Sequence, residues 1–312
     1  PGLEFGQRIF TSKEAMELKK QPKRLAIIGG GYIGLEFAGM FNSFGTHVTI
    51  FDQHTRLLER EDPDIATEVV TDLTDAGIEI KPETQLTQVK DNGEKVTLYY
   101  QQGDQTNTAE FDAVLVAVGR RPNINSLGLE NTDIALTSRG AIQVDDHLKT
   151  TVQNVWALGD VNGGPMFTYI SLDDFRIIVD QLFCKGDRST ADRTVIPTAS
   201  FLNPPLASVG LNERQAKSAG YDLQTFKLSV KAIPKARVLE DQRGLYKVIV
   251  DQKTHLILGA TLYAAEAHET INLIALAMKA KLPYERLRDM IYTHPTMSEA
   301  LNDLFKTPVV KS

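Results

Sequence analysis

Gly29-Gly30-Gly31-Tyr32-Ile33-Gly34 sets glycines at G-x-G-x-x-G spacing, between a short apolar run, RLAIIG (24–29), and an amphipathic stretch, 32–44. In that context each glycine has a physical task. Gly29 permits a tight turn, Gly31 lacks the Cβ that would hold backbone away from a pyrophosphate, and Gly34 lets a helix pack against its strand. The helix that begins at Tyr32 and Ile33 offers free amides and a partial positive charge to phosphates. Asp52 ends the next strand, HVTIFD (47–52). An acid there accepts hydrogen bonds from adenosine ribose hydroxyls and repels a 2′-phosphate, so NAD is expected over NADP, with Arg56 softening the preference. The alternative is a glycine turn in an α/β protein that binds no nucleotide.

Two further groups carry chemistry. VWALGD (155–160) puts Asp160 at the tip of an apolar run, where its carboxylate either accepts a ligand hydroxyl or caps the following helix. His294-Pro295-Thr296-Met297-Ser298-Glu299 stands before the last helix, with Pro295 suited to a first helical turn. A carboxylate bonded to one ring nitrogen fixes the tautomer and makes the other a general acid/base. The alternative is a capped helix with a surface histidine.

These groups need a scaffold. RLAIIG and HVTIFD are expected as buried parallel strands, and 32–44 as a helix with Ile33, Phe37, Met40, Phe41 and Phe44 on its apolar face. DPDIATEVVTDLTDAG is expected as a second helix, and the DNG at 91–93 as a hairpin turn. Residues 23–120 thus spell β-α-β-α-β, a β-meander and a closing strand, DAVLVAVG, which is a Rossmann-type α/β unit. Ahead of it, 1–22 is expected as a lead-in with a Pro-Gly opening and a short helix capped at Thr11 or Ser12. NVWALGD (154–160) is expected as another buried strand, followed by a helix over about 168–184. From 195 onward, alternating runs such as LQTFKLSVKAI and GLYKVIVDQKTHLILGATLYA, with helices such as HETINLIALAMKA, predict an α+β domain.

Bulk properties narrow the classes. The 312 residues suffice for two domains at about 100–200 residues each. The net charge of −6 is not gathered in a run, which disfavours nucleic acid and anionic membrane as partners. No apolar stretch is long enough for a transmembrane helix, and the opening lacks a signal-peptide pattern. A single cysteine, Cys184, excludes an intramolecular disulfide framework and a thiolate metal cluster. No metal site is expected, and the compartment is expected to be cytoplasmic.

IIGGGYIGLEFA, VLVAVGRRPN, VWALGDV, PTASFLNPPLASVGL and THPTMSEA, in this order, resemble the class I pyridine nucleotide-disulfide oxidoreductases, which include lipoamide dehydrogenase, glutathione reductase and mercuric reductase. The segment FTYISLDDFRIIVDQL is similar to a mercuric-reductase-like branch, the reactive-chlorine-resistance flavoproteins. The resemblance implies an FAD flavoprotein that passes hydride from NAD(P)H through flavin and a redox cysteine pair to a disulfide or metal-ion acceptor. It implies that Asp160 holds the flavin ribityl chain, that Gly119, Arg120 and Pro122 form the loop joining the two nucleotide domains, and that Tyr32 gates flavin from nicotinamide. It places Glu36 near the nicotinamide. It makes His294 and Glu299 the acid/base pair acting on the other subunit's thiols in a homodimer. The implied layout is a lead-in linker (1–22), an NAD(P)-binding domain (23–146), the C-terminal part of an FAD domain (147–190) and a dimerisation domain (191–312).

The sequence departs from the family in lacking a second glycine-rich loop and a C-x4-C pair, and the ending LFKTPVVKS carries no cysteine pair. It is therefore expected to be a piece of a longer enzyme, unable to do thiol chemistry alone. A non-catalytic dimeric nucleotide-binding module and an NADH oxidase or peroxidase are the rival readings.

Overall fold

The computed structural model describes residues 3–306 and 308–309; the Pro-Gly opening and part of the LFKTPVVKS ending lie outside the described residues. The first half runs β1 (Ile9–Phe10), α1 (Ser12–Ala15), β2 (Arg24–Ile28), α2 (Tyr32–Ser43), β3 (His47–Phe51), α3 (Pro63–Asp75), β4 (Glu79–Lys81), β5 (Thr84–Asp91), β6 (Val96–Gln102), β7 (Gln105–Phe111) and β8 (Ala113–Val116). Next comes α4 (Thr168–Val179). The rest runs β9 (Thr198–Ser200), β10 (Leu206–Gly210), α5 (Glu213–Ser218), β11 (Leu223–Ser229), α6 (Pro234–Val238), β12 (Leu245–Asp251), β13 (Ile257–Tyr263), α7 (Ala267–Lys279), α8 (Glu285–Arg288) and α9 (Ala300–Leu304).

Leu25, Ala26, Ile27 and Ile28 are all buried, as a strand with neighbours on both sides requires. β2 is paired in parallel with β3 and β8, inside a sheet ordered β1-β8-β2-β3-β4. The lead-in therefore does more than link: Ile9 and Phe10 are buried and pair in parallel with Val114 and Leu115. Thr11 and Glu14 close a reciprocal capping box, but the helix they start lasts only from Ser12 to Ala15. β5, β6 and β7 form the separate antiparallel meander, with Gly93 at φ +87° in the first turn.

The α2 face differs from expectation. Gly34, Leu35, Ala38 and Phe41 are buried, while Phe44 is exposed. Small residues at 34 and 38 let the helix lie close to β2, so the face is set by close approach and not by the largest side chains. Phe37 and Met40 flank it, packing on the same core from partial exposure.

The C-terminal sheet is antiparallel, ordered β11-β12-β13-β10-β9. Ile271, Ile274 and Ala277 of α7 are buried against it at helical spacing. Each buried isoleucine contributes about 1.5–3 kcal/mol. Leu202, Leu206 and Tyr263 belong to the same apolar cluster as Ile27, Leu35 and Val69. That shared core makes residues up to Val118 and from Val195 one compact unit, and Gly119–Thr194 a second.

Within the second unit, 154–160 is not a strand. Trp156 makes one isolated bridge to Lys149, and Gly159–Asn162 is a 3₁₀ turn. A buried strand needs neighbours to pair with, and the described residues of this unit form only isolated bridges. α4 begins at Thr168 as expected and continues as a π-turn through Cys184. Among the described residues no helix is long and apolar enough to cross a membrane.

Candidate functional site

The turn from β2 into α2 is built as its glycines require. Gly29 adopts φ +102°, and a Cβ there would lie 2.7 Å from the Ala117 carbonyl oxygen. A Cβ on Gly34 would lie 2.0 Å from the Gly29 carbonyl oxygen. Gly31 is different: a Cβ there would meet nothing within 4 Å. It occupies the N-cap of α2, which has no side-chain cap and no acid in its first turn, so no carboxylate competes for the amides that Tyr32 and Ile33 bring to the helix start. Open space, uncapped amides and a positive helix end fit a pyrophosphate.

Asp52 is buried just past β3 and is locked to this turn. Its Oδ2 accepts the Gly30 N–H at 2.5 Å, and its Oδ1 accepts the His54 N–H at 2.9 Å and faces His54 Nδ1 at 2.6 Å. The Arg56 guanidinium instead donates to the Glu59 and Glu61 carbonyls.

Tyr32 and Glu36 extend from α2 toward other elements. The Tyr32 hydroxyl donates to Glu61, whose other carboxylate oxygen accepts from Ser208 of β10 at 3.4 Å. Burial, reinforced by the Glu61 charge, pushes the Tyr32 phenol up. Glu36 accepts the Ser200 hydroxyl at 3.0 Å and the Phe201 N–H at 2.7 Å. Both side chains proposed for the nicotinamide end are therefore anchored.

Glu61 has a consequence for stability. Burial raises its pKa, outweighing the Tyr32 and Ser208 hydrogen bonds. The folded protein then holds this proton more tightly than the unfolded chain, so the group's contribution falls as pH rises above the ordinary carboxyl range. Glu61→Gln, which keeps an acceptor for Tyr32, is expected to raise the urea midpoint at pH 7 and to leave it unchanged near pH 4. Parallel pH profiles for the two proteins would contradict this.

In the second unit, the Asp160 Oδ2 accepts from Arg120 at 2.6 Å, and Arg120 also donates to the Met166 carbonyl at 3.2 Å. Asp160 does not cap α4, whose N-cap position is Phe167. Its carboxylate stands in the 3₁₀ turn with Oδ2 taken by Arg120, and Oδ1 could accept from a hydroxyl-bearing ligand. Gly119 sits at φ +135°, a conformation that favours glycine. Asp174, which sequence reasoning passed over, is fully buried. It accepts the Gly159 N–H at 2.7 Å and pairs with Arg193, holding the loop that carries Asp160.

His294 and Glu299 meet as their spacing predicts. Nδ1 lies 2.8 Å from Glu299 Oε2, and Glu299 Oε1 accepts the Thr296 N–H at 3.0 Å. The His294 side chain is 67% exposed against 18% for Glu299, so the ring faces solvent from an anchored base. Pro295 lies in the loop and not in a helical turn, because α9 starts only at Ala300. No hydrogen bond or ion pair joins this dyad to the β2–α2 turn among the described residues. His54 and Glu61 also escaped sequence reasoning. His54 had a signal, its place two residues beyond Asp52, the acid expected at a ribose; Glu61 had none.

The model of the pyridine nucleotide-disulphide oxidoreductase family matches residues 1–174, and that of its dimerisation domain matches 196–305. Over 305 residues the chain is 47% identical to the "Probable pyridine nucleotide-disulfide oxidoreductase RclA" of Escherichia coli (strain K12), covering 98% of this chain and 68% of that protein. Over 292 residues it is 35% identical to the mercuric reductase of Staphylococcus aureus, covering 94% of this chain and 53% of that protein. The solved structure of the HOCl-induced flavoprotein disulfide reductase RclA from Escherichia coli matches with a TM-score of 0.93 at 46% identity, covering 98% of this chain and 69% of that one. The chain thus spans about half to two thirds of the length of these relatives.

Proposed function

The chain belongs to the pyridine nucleotide-disulphide oxidoreductases, and from that premise we propose that it supplies the NADH-binding and subunit-pairing parts of a flavin-dependent reductase. The observation that carries this reading is the start of α2: Gly31 opens into free space at an uncapped helix end, beside a carboxylate fixed in place.

Gly31, Tyr32 and Ile33 would present the amides that hold the pyrophosphate, with Gly29 and Gly34 shaping the turn and Asp52 accepting ribose hydroxyls. Asp160, oriented by Arg120 and the Asp174-braced loop, would accept from the ribityl chain of FAD. When bound, the two cofactors supply hydride transfer from reduced nicotinamide to flavin. Glu36 holds the strand at Ser200 against α2, and Tyr32, released from Glu61, would be free to turn. Glu299 keeps the Nδ1 hydrogen of His294 engaged, so Nε2 is the atom that takes and returns a proton. The proton partner would be a redox thiol contributed across a two-fold homodimer, and the terminal acceptor a disulfide or a metal ion.

The test is His294→Gln in the flavin-loaded protein carrying a cysteine pair. Flavin reduction by NADH is expected at the wild-type rate, while the step in which thiols pass electrons to the acceptor slows by about 10²–10⁴-fold. Glu299→Gln is expected to slow the same step less, because it keeps an acceptor but loses the charge. Unchanged turnover in both variants would remove the dyad from the mechanism.

A further inference from the structure

His54 is bound to the one acid that the nucleotide reading places at the adenosine ribose. Its Nδ1 lies 2.6 Å from Asp52 Oδ1, and its own N–H donates to the same oxygen at 2.9 Å. Its Nε2 faces the Glu59 carboxylate at 3.9 Å. Close by along the chain, the Arg56 guanidinium is taken by the Glu59 and Glu61 carbonyls, and at the His54 backbone the Glu83 N–H donates to its carbonyl at 2.9 Å. The His54 side chain is 48% exposed and that of Asp52 only 8%. Solvent protons thus reach the histidine, and the charge of the buried acid is felt together with it.

We propose that His54 is a specificity-determining residue for the adenosine 2′ position. To donate to a carboxylate, Nδ1 keeps its hydrogen in both protonation states, so the proton that comes and goes is on Nε2. With the ring neutral, Asp52 is an uncompensated anion and repels a 2′-phosphate. With the ring protonated, the Asp52–His54 pair is neutral overall and the half-exposed cation is available to that phosphate. The preference for NADH over NADPH therefore relaxes as pH falls, by a residue whose position does not change. The inference rests on the nucleotide reading of the β2–α2 turn and deepens it.

The experiment measures dissociation constants of NADH and NADPH by calorimetry at pH 8 and pH 5.5, for the wild type, His54→Gln and His54→Arg. The 2′-phosphate itself titrates near pH 6, so the comparison between proteins carries the result. In the wild type the NADPH-to-NADH ratio of dissociation constants is expected to shrink by about tenfold on acidification, the scale of removing one like-charge contact. His54→Gln keeps a neutral donor to Asp52 and is expected to show only the smaller shift that the phosphate's own titration brings. His54→Arg is a permanent cation and is expected to hold it low at both pH values. The same pH dependence in the wild type and His54→Gln would overturn the role of His54 while leaving the nucleotide site standing. Binding of neither nucleotide by any folded protein in the set would overturn both.

Discussion

Alanine at Gly31 is expected to leave thermal stability unchanged and to weaken NADH binding about a hundredfold, while alanine at Gly34 in the same motif unfolds the turn. The three glycines look alike in sequence and differ in what surrounds them. Gly31 has φ −79° and ψ 178°, ordinary extended backbone, and open space where a methyl would go. Only a ligand would feel that methyl. Two charge-assisted hydrogen bonds from the helix amides to phosphate, at about 1.5 kcal/mol each, account for the hundredfold. At Gly34 the methyl would lie 2.0 Å from the Gly29 carbonyl oxygen and 3.3 Å from Ile27 Cγ2. The first neighbour is backbone and cannot swing aside, so about 3 kcal/mol of stability or more is lost. A thermal melt and an NADH titration on both variants separate the cases. Wild-type NADH affinity in Gly31→Ala would mean that the loop is only a turn.

Lys247→Met is expected to cost about 3–5 kcal/mol, the range for leaving buried charges without their partner. The Lys247 side chain in β12 is only 2% exposed, and its Nζ lies 2.8 Å from Asp62, 2.9 Å from Asp64 and 3.6 Å from Glu213. Asp62 heads α3 but does not cap it; it also accepts the Glu213 N–H of α5 at 3.2 Å. One ammonium therefore ties the nucleotide-binding half to the C-terminal sheet. Burial alone would lower the Lys247 pKa, but hydrogen bonds to Asp62 and Asp64 hold it above its usual value. Burial alone would raise that of Asp64, but Lys227 and Lys247 hold it down. A depressed carboxyl gives stability above its unfolded pKa and loses it as pH falls; a raised ammonium gives stability below its unfolded pKa and loses it as pH rises. The gap between wild type and Lys247→Met is thus widest around neutral pH and narrows toward pH 3. Urea unfolding at pH 7 and pH 3 tests it, and adding Asp62→Asn and Asp64→Asn to Lys247→Met should recover much of the loss. A single variant within 1 kcal/mol of wild type would contradict the account.

What the sequence could show was what lies close along the chain. The glycine turn, the strand before it, the Thr11–Glu14 cap and the His294–Glu299 dyad are set by residues within a few positions of each other. Side chains whose partners lie far away were out of reach. Lys247 meets Asp64 across 183 positions, and Glu61 meets Ser208 across 147. The buried face of α2 differs from the one its large apolar residues predict because Gly34 and Ala38 serve close packing, which a count of such residues does not register. The strand expected at 154–160 has the right composition but no sheet to join. The core under α2 continues into Leu202, Leu206 and Tyr263, an association that no local composition shift reveals.

Hydrogen exchange of individual backbone amides, measured by NMR with and without saturating NADH, bears most directly on where the nucleotide sits. Slowed exchange concentrated at Gly31, Tyr32 and Ile33, and absent from the same amides in Gly31→Ala, is the result this account requires. NADH that binds without changing exchange at those amides, or that does not bind the folded protein at all, would contradict it.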